Sequence, residues 1–480
     1  MTERMDSMLI VPIDREDGGP IYVQIYEGVR NKITDGSLPV GTKLPSKRKF
    51  AETLSVSNTT VELAYGQLLA EGYISSRPRS GFFVQDVGEL AYAPPSASGP
   101  PVQSGPLQPP PADYEYDFSP GRIDTESFPF DAWRKQAKSV IDESSADLLL
   151  LGHPHGEPEL RQEIARYLNH SRGVACTPEQ IIIGSGTEQL MPLVIRLLGP
   201  DTIYAIEDPG YPLTHHIFRR NDRRAIPVPV DNEGIDVLRL GETGANAAYV
   251  TPAHQFPTGA VLSAHRRSQL LAWASEKPDR YIIEDDYDSE FRYGGIPVPA
   301  LQGMGRSDRV LYISTFSKSL MPSLRIAYMV LPPRLLPRYS ELFAHYASTV
   351  PRFDQHILAG FMRDGSFSRH LNRMRKVYRR KYTALTAALA PYSNSVRYED
   401  SQAGMHLRLS VRTDRTEEEL VALAARAGIR VQGAGSYSIS PVPREGIAEI
   451  VLGFGGIPDK RIPAVIRMLM DCWSVPGGIR

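Results

Sequence analysis

Cysteine is nearly absent from this sequence. Its 480 residues include only two cysteines, Cys176 and Cys472, and these are far apart. No Cys-x-x-Cys pair is present, so the sequence predicts neither a disulfide framework nor a zinc site, and we expect no metal. Such cysteine usage is typical of a reducing compartment, and we expect a cytoplasmic protein.

Long apolar runs and an excess of one charge are also lacking. No stretch is long enough to span a bilayer, and residues 1–17 contain no apolar run of signal-peptide length. We therefore expect no membrane association. The formal net charge is -1, so no global field draws the protein to nucleic acid. Any affinity for DNA must come from a local patch.

Proline, in contrast, is concentrated in one segment. Eight prolines lie between Gln85 and Asp113, with serine and glycine among them. Such a segment packs no core and is extended. The length of the chain also predicts two or three domains. We predict a small N-terminal domain over residues 1–84, a linker over 85–115 and a large domain over 116–480.

The small domain has the pattern of three helices followed by a hairpin. Isoleucine or valine at every fourth position after Pro20 predicts the first helix. Ser46 and Ser57 are placed to cap two further helices, the first over Lys47–Leu54 and the second running to about Ala70. Two β-rich runs, at residues 73–76 and 82–84, flank a basic turn. This order is that of a winged helix-turn-helix, whose recognition helix enters the major groove of DNA.

Local charge and sequence both connect this domain with DNA. Between Lys43 and Val84 the sequence contains six basic and three acidic residues. This excess of positive charge alone is equally typical of a DNA-binding surface and of a basic face that contacts only solvent. Lys43–Arg48, Val56–Ser57 and Gly72–Ile74, in this order and spacing, resemble the GntR-type DNA-binding domain. The resemblance implies a double-stranded DNA operator as partner. It also implies that the following residues contact DNA: Lys43, Arg48, Asn58, Thr59, Thr60, Arg79 and Gly81.

One departure from the GntR pattern concerns the recognition helix. GntR-type sequences commonly carry an arginine in the turn before the polar cluster of that helix. Here the cluster is Ser57–Thr60, without the arginine. We expect this difference to alter base preference.

The large domain alternates short apolar runs with amphipathic helical patterns from about Phe118 onward. This alternation predicts an α/β fold with a mostly parallel sheet covered on both faces. In such sheets ligands bind at the carboxyl ends of the strands. The predicted strands are Ile181–Ile183, Thr202–Ile206, Ala247–Val250, Tyr281–Ile283 and Val310–Ile313.

The residues that follow these strands are the components of a cofactor site. Lys318, among small hydroxyl residues, can form a Schiff base with an aldehyde. Asp285 can hold a pyridinium N–H, and Arg325 can pair with a phosphate. A glycine-bearing turn at residues 184–189 presents N–H groups at a helix start. Each residue alone has an ordinary structural explanation, but five strand ends in this order predict a pyridoxal-phosphate site.

The same order resembles fold-type I aminotransferases over about residues 116–480. The resemblance implies that pyridoxal 5'-phosphate is the cofactor and that Lys318 is its Schiff-base lysine. It implies that Asp285 partners the ring nitrogen, that Tyr287 donates to the phenolic oxygen and that Tyr211 stacks on the ring. It also implies a phosphate cup formed by Ser185, Gly186, Thr187, Thr315, Ser317 and Arg325.

Two departures weaken the comparison with working aminotransferases. These enzymes usually read Asn-Pro-Thr-Gly where this chain reads Phe256–Gly259, so His254 or Gln255 substitutes for the asparagine or the site is weakened. Many aminotransferases also place a carboxylate-binding arginine in the region of Val451–Phe454, where this chain has none. We therefore expect sensing or half-reactions rather than sustained turnover.

Considered whole, the chain resembles the MocR/GabR family of bacterial regulators. Residues 254–259, 284–291 and 369–375 are also similar to that family. The resemblance implies a homodimer in which the large domain senses a small-molecule effector and controls operator binding. Some members sense the cofactor itself in vitamin B6 supply, and others sense an amine or amino acid that condenses with it. No arginine lies between Tyr211 and Arg219, which favours the cofactor.

Two other functions remain open. Intact Lys318, Asp285 and Tyr287 are compatible with an active aminotransferase that carries an accessory DNA-binding domain. The third possibility is a binding module that has lost its cofactor, which the presence of Lys318 argues against.

Overall fold

The chain divides into two units, residues 1–110 and 111–480. The computed structural model describes residues 9–15, 19–88, 114–294, 298–304, 308–399, 403–440 and 445–477. Most of the predicted linker, residues 89–113, lies outside the described residues. No helix in the described ranges is both long and apolar enough to cross a membrane.

The first unit contains the predicted helices and hairpin. Ser46 and Ser57 cap their helices as expected, each hydroxyl accepting a backbone N–H from the first turn. The first hairpin strand is shifted by one residue from the predicted run, because Tyr73 is taken up in the turn that ends the third helix, and the second begins one residue earlier than predicted. The elements are α1 Ile21–Thr34, α2 Lys47–Leu54, α3 Asn58–Ala70, β1 Ile74–Arg77 and β2 Gly81–Val84.

A core of apolar side chains holds the first unit together. Ile25 and Val29 of α1, Phe50 of α2 and Tyr65 of α3 are fully buried in it. The inner face of α3 is thus used for packing. Its first turn remains on the surface, with Asn58 and Thr59 exposed.

The second unit is built on an eight-stranded, mostly parallel sheet. The strand order is β4-β11-β10-β9-β8-β5-β6-β7. Neighbours from β10 to β6 are parallel, and β11 and β7 pair antiparallel with their neighbours. The strands of this sheet are β4 Ile181–Gly184, β5 Tyr204–Asp208, β6 Ala225–Asp231, β7 Gly234–Ile235, β8 Ala247–Val250, β9 Tyr281–Asp286, β10 Val310–Thr315 and β11 Ala327–Val330; a separate short strand, β3 Tyr116–Asp117, precedes them in the chain.

Helices cover both faces of this sheet. Ile282 and Ile283 are neighbours in β9 but belong to different apolar clusters, one on each face. This is the arrangement expected of continuous apolar strands in a parallel sheet. The helices are α4 Phe130–Val140, α5 Pro158–Ser171, α6 Thr187–Leu198, α7 Pro212–Arg220, α8 Val237–Glu242, α9 Ala264–Ser275, α10 Phe316–Ser319, α11 Leu336–Phe343 and α12 Arg352–Arg363.

A four-stranded antiparallel sheet follows, with order β12-β13-β16-β15. The short strand β14 pairs instead with β3, in parallel. Helices pack on the sheet around a core that includes Tyr378, Leu409 and Trp473. The elements are α13 Ser366–Leu389, β12 Val396–Tyr398, β13 His406–Arg412, α14 Glu417–Arg426, β14 Ile429–Arg430, β15 Gln432–Gly433, β16 Ile447–Gly453 and α15 Ile462–Cys472.

Four of the five predicted strands end later than predicted, by one residue in β4, two in β5 and β10, and three in β9. The strand predicted at residues 202–206 begins at Tyr204 and ends at Asp208, and the one predicted at 281–283 continues to Asp286. Strand β9 continues through the acidic residues Glu284 and Asp286 because each carboxylate has hydrogen-bonding partners. Glu284 accepts the backbone N–H groups of residues 301 and 302, and Asp286 accepts the Arg172 guanidinium at 2.7 Å.

Candidate cofactor site and DNA-binding surface

Lys318 lies in the single turn of α10, directly after β10. The Thr315 hydroxyl accepts the backbone N–H of Ser317 at 3.1 Å and so starts this turn. The Lys318 Nζ donates to the carbonyl oxygen of Pro120. Burial lowers the pKa of Lys318 to about 8, although the Asp288 carboxylate opposes the shift. The neutral, nucleophilic fraction of this amine near neutral pH is therefore larger than that of an ordinary lysine.

Asp285 is the penultimate residue of β9 and is buried. Its Oδ2 accepts the Tyr249 hydroxyl from the neighbouring strand β8. Within the described part of the chain, its Oδ1 has no hydrogen-bond partner. Burial raises the pKa of Asp285 to about 7, with Asp286 and Asp288 adding to the effect and the Tyr249 hydrogen bond opposing it. A buried, unpaired carboxylate oxygen calls for a cationic N–H donor.

The predicted phosphate cup lies between β4 and α6 and around Arg325. Gly186 precedes α6 with φ of 151°, and a Cβ there would be 2.5 Å from the Arg325 Nη2. Glycine is therefore required for the close approach of that guanidinium. In this structure Arg325 pairs with Glu188, and both side chains are about half exposed. Thr315 and Ser317 share a hydrogen bond of 2.8 Å between their hydroxyl groups.

Tyr211 stands at the start of α7 and is 47% exposed. Burial of its ring raises its pKa, as do the Asp285 and Glu188 carboxylates, while Arg325 lowers it. Because these charges act on the Tyr211 hydroxyl, the predicted ring platform (Tyr211) lies within electrostatic range of the predicted ring-nitrogen partner (Asp285) and phosphate arginine (Arg325). Three sequence-predicted residues, Tyr211 at the start of α7, Asp285 on β9 and Arg325 after α10, are thus brought together near the N-terminus of α6.

Tyr287 follows β9 and donates its hydroxyl to the carbonyl oxygen of His254 at 2.8 Å. The Nδ1 of His254 lies 3.0 Å from the Asp288 Oδ2 and 3.2 Å from the Tyr287 hydroxyl. The His406 ring lies 4.7 Å from that of His254. Burial lowers the pKa of His406 well below its usual value, and the charges of His254 and Lys318 act in the same direction. His406 is therefore neutral beside the lysine.

Of the two candidates to replace the missing asparagine, Gln255 is fully engaged elsewhere. Its Nε2 donates to the carbonyl oxygens of Pro209 and Phe256 at 2.9 and 2.7 Å. Its Oε1 accepts from Thr258 at 2.6 Å. Gln255 therefore fixes its own loop, which leaves His254 as the remaining candidate.

The region where many aminotransferases place a carboxylate arginine is apolar here. Val451 of β16 is fully buried in a cluster with Phe256, Ala434 and Tyr437, against which Tyr287 packs. An apolar side chain at this point offers no partner to a substrate carboxylate.

The residues present fit pyridoxal phosphate. The unpaired Asp285 Oδ1 suits a ring N–H, Arg325 and the N-terminus of α6 suit a phosphate, and Lys318 suits an aldehyde. When bound, the cofactor supplies an aldehyde that condenses with amines and a ring that withdraws electrons. The surrounding residues would supply the hydrogen-bonding and charged groups that bind and orient it.

Three residues near the site were not identified from the sequence. Tyr249 was only part of a predicted apolar strand, and Glu188 was only part of a helix start. His406 carried no motif. Each of the three interacts with a residue that is distant in the sequence, so the local sequence pattern could not identify it.

The first unit presents the predicted DNA-contacting residues in a helix-turn-helix and hairpin. The Arg48 side chain on α2 is 89% exposed and pairs only loosely with Glu52, at 3.2 Å. Asn58 and Thr59 are exposed on the first turn of α3. The Thr60 hydroxyl is half-buried and lies 2.7 Å from that of Ser57, so it takes part in the cap.

The hairpin carries the remaining predicted contacts. Arg79 is exposed at its tip with φ of 61°. Gly81 has φ of 109°, and a Cβ there would lie 3.5 Å from Lys43. A compact turn with basic side chains is what a wing needs to approach phosphates.

Comparison with known proteins identifies both units. The family "Bacterial regulatory proteins, gntR family" matches residues 21–84, and "Aminotransferase class I and II" matches residues 116–446. The chain is similar to the uncharacterized HTH-type transcriptional regulator YdeL of Bacillus subtilis, with 41% identity over 459 residues covering 95% of this chain and 97% of that protein.

Two further relatives have names that state a role. The probable rhizopine catabolism regulatory protein MocR of Rhizobium meliloti is 33% identical over 478 residues, covering 96% of this chain and 95% of that protein. The HTH-type pyridoxine biosynthesis transcriptional regulator PdxR of Corynebacterium glutamicum is 31% identical over 467 residues, covering 97% and 99%.

Solved structures match the second unit. An archaeal alanine:glyoxylate aminotransferase aligns with a TM-score of 0.68 and 26% identity, over 75% of this chain and 90% of that chain. The α-aminoadipate aminotransferase LysN from Thermus thermophilus aligns with a TM-score of 0.65 and 25% identity, over 75% and 92%. The fold is that of fold-type I aminotransferases, and pyridoxal phosphate is the cofactor it implies. The chain therefore belongs to the MocR/GabR family of bacterial transcription regulators, in which a GntR-type DNA-binding domain is joined to an aminotransferase-like domain.

Proposed function

We propose that this regulator binds an operator through residues 1–84 and senses, through residues 116–480, pyridoxal phosphate alone or with an amine condensed onto it. Residues 85–115 link the two. Ligand binding favours one arrangement of the protein and so changes its affinity for DNA. A ligand that bound every arrangement equally would change nothing.

The observation that carries this proposal is the unpaired oxygen of buried Asp285 on β9, together with the lowered pKa of Lys318, which follows the neighbouring strand β10. We assign Lys318 to the aldehyde, Asp285 to the ring nitrogen and Tyr211 to the ring face. Tyr287 is assigned to the phenolic oxygen, which requires its hydroxyl to turn from the His254 carbonyl. The phosphate cup is assigned to Ser185, Gly186, Thr187, Thr315, Ser317 and Arg325.

Sensing is favoured over sustained transamination by the GntR-type unit that precedes the aminotransferase-like one, and the apolar Val451 cluster agrees with it. An aminotransferase must bind two substrates in turn through their carboxylates, and this cluster gives them no partner at the position where many such enzymes use arginine. A sensor needs only to capture its ligand.

A homodimer is supported by an exposed apolar segment. Leu149, Leu150 and Leu151 are consecutive, and 76%, 68% and 87% of their surfaces are exposed. Arg352 donates to the Leu150 carbonyl at 3.1 Å and pairs with Glu157 at 2.9 Å, so the segment is held in place. Three fixed, exposed leucines are typical of a surface that a partner covers, and a second copy is the partner we propose.

The relatives support two kinds of target genes. The name of PdxR assigns it to pyridoxine biosynthesis, and that of MocR assigns it to rhizopine catabolism. The first suits a protein that senses the cofactor, and the second suits one that senses a small organic ligand.

A spectroscopic titration tests the cofactor part of the proposal. Adding pyridoxal phosphate to the purified protein should produce a visible absorbance band in the wild type and none in Lys318→Ala. Lys376→Ala, an exposed lysine on α13, is the matched control and should behave as the wild type. A colourless wild type would overturn the assignment.

A further inference from the structure

A loop near the start of the second unit carries an arginine on the turn that the cofactor lysine contacts. We propose that Arg122 binds the carboxylate of the effector, so that the molecule that condenses at Lys318 is an amine bearing a carboxylate. This inference rests on the proposed function and narrows its ligand to one chemical class.

The position of Arg122 follows from its turn. The Lys318 Nζ donates to the Pro120 carbonyl. The Arg122 backbone N–H donates to the Ser119 carbonyl at 3.1 Å and closes a tight turn around Pro120. Arg122 therefore lies on the same turn as the carbonyl that the lysine amine contacts.

The end of β16 makes room for this arginine. A Cβ on Gly456 would lie 2.9 Å from the Arg122 Cβ, and a Cβ on Gly455 would lie 2.3 Å from the Arg122 carbonyl oxygen. A side chain at either glycine would therefore displace the loop. This is the region where many aminotransferases carry an arginine on the strand, and here the loop supplies the arginine instead.

The charged groups around Arg122 carry a net positive charge, which suits an anionic ligand. The Arg122 Nε donates to the Asp117 Oδ2 at 2.8 Å, and the Arg430 Nη1 lies 3.7 Å from the same oxygen. Two guanidinium groups thus share one carboxylate. Within the described ranges, the terminal nitrogens of Arg122 make no hydrogen bond, and its side chain is 62% exposed.

This geometry suits a carboxylate more than a simple amine tail. Asp117 holds the guanidinium through Nε and leaves its two terminal N–H edges for bidentate binding, which carboxylates accept well. Arg430 adds a second cation near Tyr437, whose pKa it lowers against the larger effect of burial. Tyr437 packs on Phe256, next to the Tyr211 ring.

A merely structural Arg122, tying the loop to Asp117, is the competing explanation. The two explanations differ in what they predict for ligand choice. A structural arginine affects the binding of all amines alike, and a binding arginine affects only those with a carboxylate.

The test uses full-length protein loaded with pyridoxal phosphate and two isosteric pairs of probes: alanine with isopropylamine, and 4-aminobutyrate with n-butylamine. The apparent Kd of each is read from the change in the visible band. We expect the wild type to prefer the carboxylate member of at least one pair by about tenfold or more. Arg122→Gln should abolish this preference while its isopropylamine and n-butylamine affinities stay unchanged.

Two variants act as controls. Arg122→Lys keeps the charge but loses the bidentate geometry, and it should retain only part of the preference. Arg397→Gln removes an exposed arginine from β12 of the same unit and should retain all of it. Equal affinity for both members of both pairs in the wild type, or an undiminished preference in Arg122→Gln, would overturn the inference while leaving cofactor binding intact. Absence of the visible band would overturn the proposed function itself.

Discussion

Tyr249 donates its hydroxyl to one carboxylate oxygen of Asp285 and leaves the other oxygen buried without a partner in the described structure. The relationship depends on strand register. Tyr249 of β8 lies opposite Ile283 of β9, and Asp285 is two residues further along the same face. The tyrosine thus holds the carboxylate so that one oxygen stays available for the ring nitrogen to which we assign it.

Replacing Asp285 by asparagine should weaken cofactor binding. The charged hydrogen bond to the ring nitrogen would be lost, and bonds of this kind contribute about 1.5–3 kcal/mol. We expect the Kd for pyridoxal phosphate, measured from the visible band, to rise about 10- to 100-fold. Tyr249→Phe removes the supporting bond only and should have a smaller effect. Wild-type affinity in Asp285→Asn would contradict the assignment.

The raised pKa of Asp285 has a consequence for stability. Its usual value is 3.8, and in the folded cofactor-free protein burial raises it to about 7. Between these values the folded state holds a proton that the unfolded state releases, so this group makes the protein less stable as pH rises through the window. The Tm of Asp285→Asn minus that of the wild type, both without cofactor, should therefore be larger at pH 7.5 than at pH 5. These two pH values lie above and below the raised pKa of about 7. A constant difference would contradict the raised pKa.

Capture of the cofactor aldehyde should also depend on pH. Only the neutral amine attacks an aldehyde, and the pKa of Lys318 is lowered to about 8. Stopped-flow absorbance should show the rate of band formation rising through pH 8 and levelling above it. A rate that continued to rise towards pH 10 would mean that the lysine keeps its ordinary pKa.

In the proposed assignment, the ion pair between Arg325 and Glu188 competes with the phosphate for the same guanidinium. Glu188→Gln should therefore tighten the binding of pyridoxal phosphate. Exposed ion pairs contribute about 0.2–1 kcal/mol, so we expect a Kd about two- to fivefold lower. Glu242→Gln breaks an exposed pair with Arg239 elsewhere in the unit and should leave the Kd unchanged. Weaker binding in Glu188→Gln would show that Glu188 supports the site instead.

Phosphate contacts of the first unit are open to a salt titration. Arg48→Ala removes an exposed cation of α2. It should lower DNA affinity and reduce the slope of log K against log salt by about one. Arg134→Ala, an exposed arginine of the second unit paired with Asp131, should change neither. An unchanged slope in Arg48→Ala would remove this residue from the DNA-binding surface.

Much of the fold could be predicted because its signals are local. The capping serines, Ser46 and Ser57, mark helix starts in the chain itself, and the apolar runs mark strands. The positions of the assigned cofactor residues were predictable for a related reason, since Asp285 lies at the end of β9, Lys318 follows β10, and Arg325 lies in the loop that leads from β10 to β11. The order of the strands along the chain is therefore enough to assign Lys318, Asp285 and Arg325 to one sheet edge.

What could not be predicted depends on contacts between distant segments. Tyr249 lies beside Asp285 only because β8 pairs with β9 in a particular register. Glu188 pairs with an arginine 137 residues away. The sequence favoured the cofactor as effector because no arginine follows Tyr211 closely. Arg122 is associated with the lysine only because Lys318 contacts Pro120 on the same turn, 198 residues earlier in the chain, and this turn packs against Gly456.

The most direct test of the central claim is the affinity of full-length protein for an operator selected by this protein from random DNA, measured by fluorescence anisotropy at fixed salt. Measurements are made without ligand, with pyridoxal phosphate, and with pyridoxal phosphate plus alanine or 4-aminobutyrate. The account predicts that at least one addition changes the Kd in the wild type and that none does so in Lys318→Ala. An operator affinity indifferent to every addition, in a protein that binds the cofactor, would contradict it.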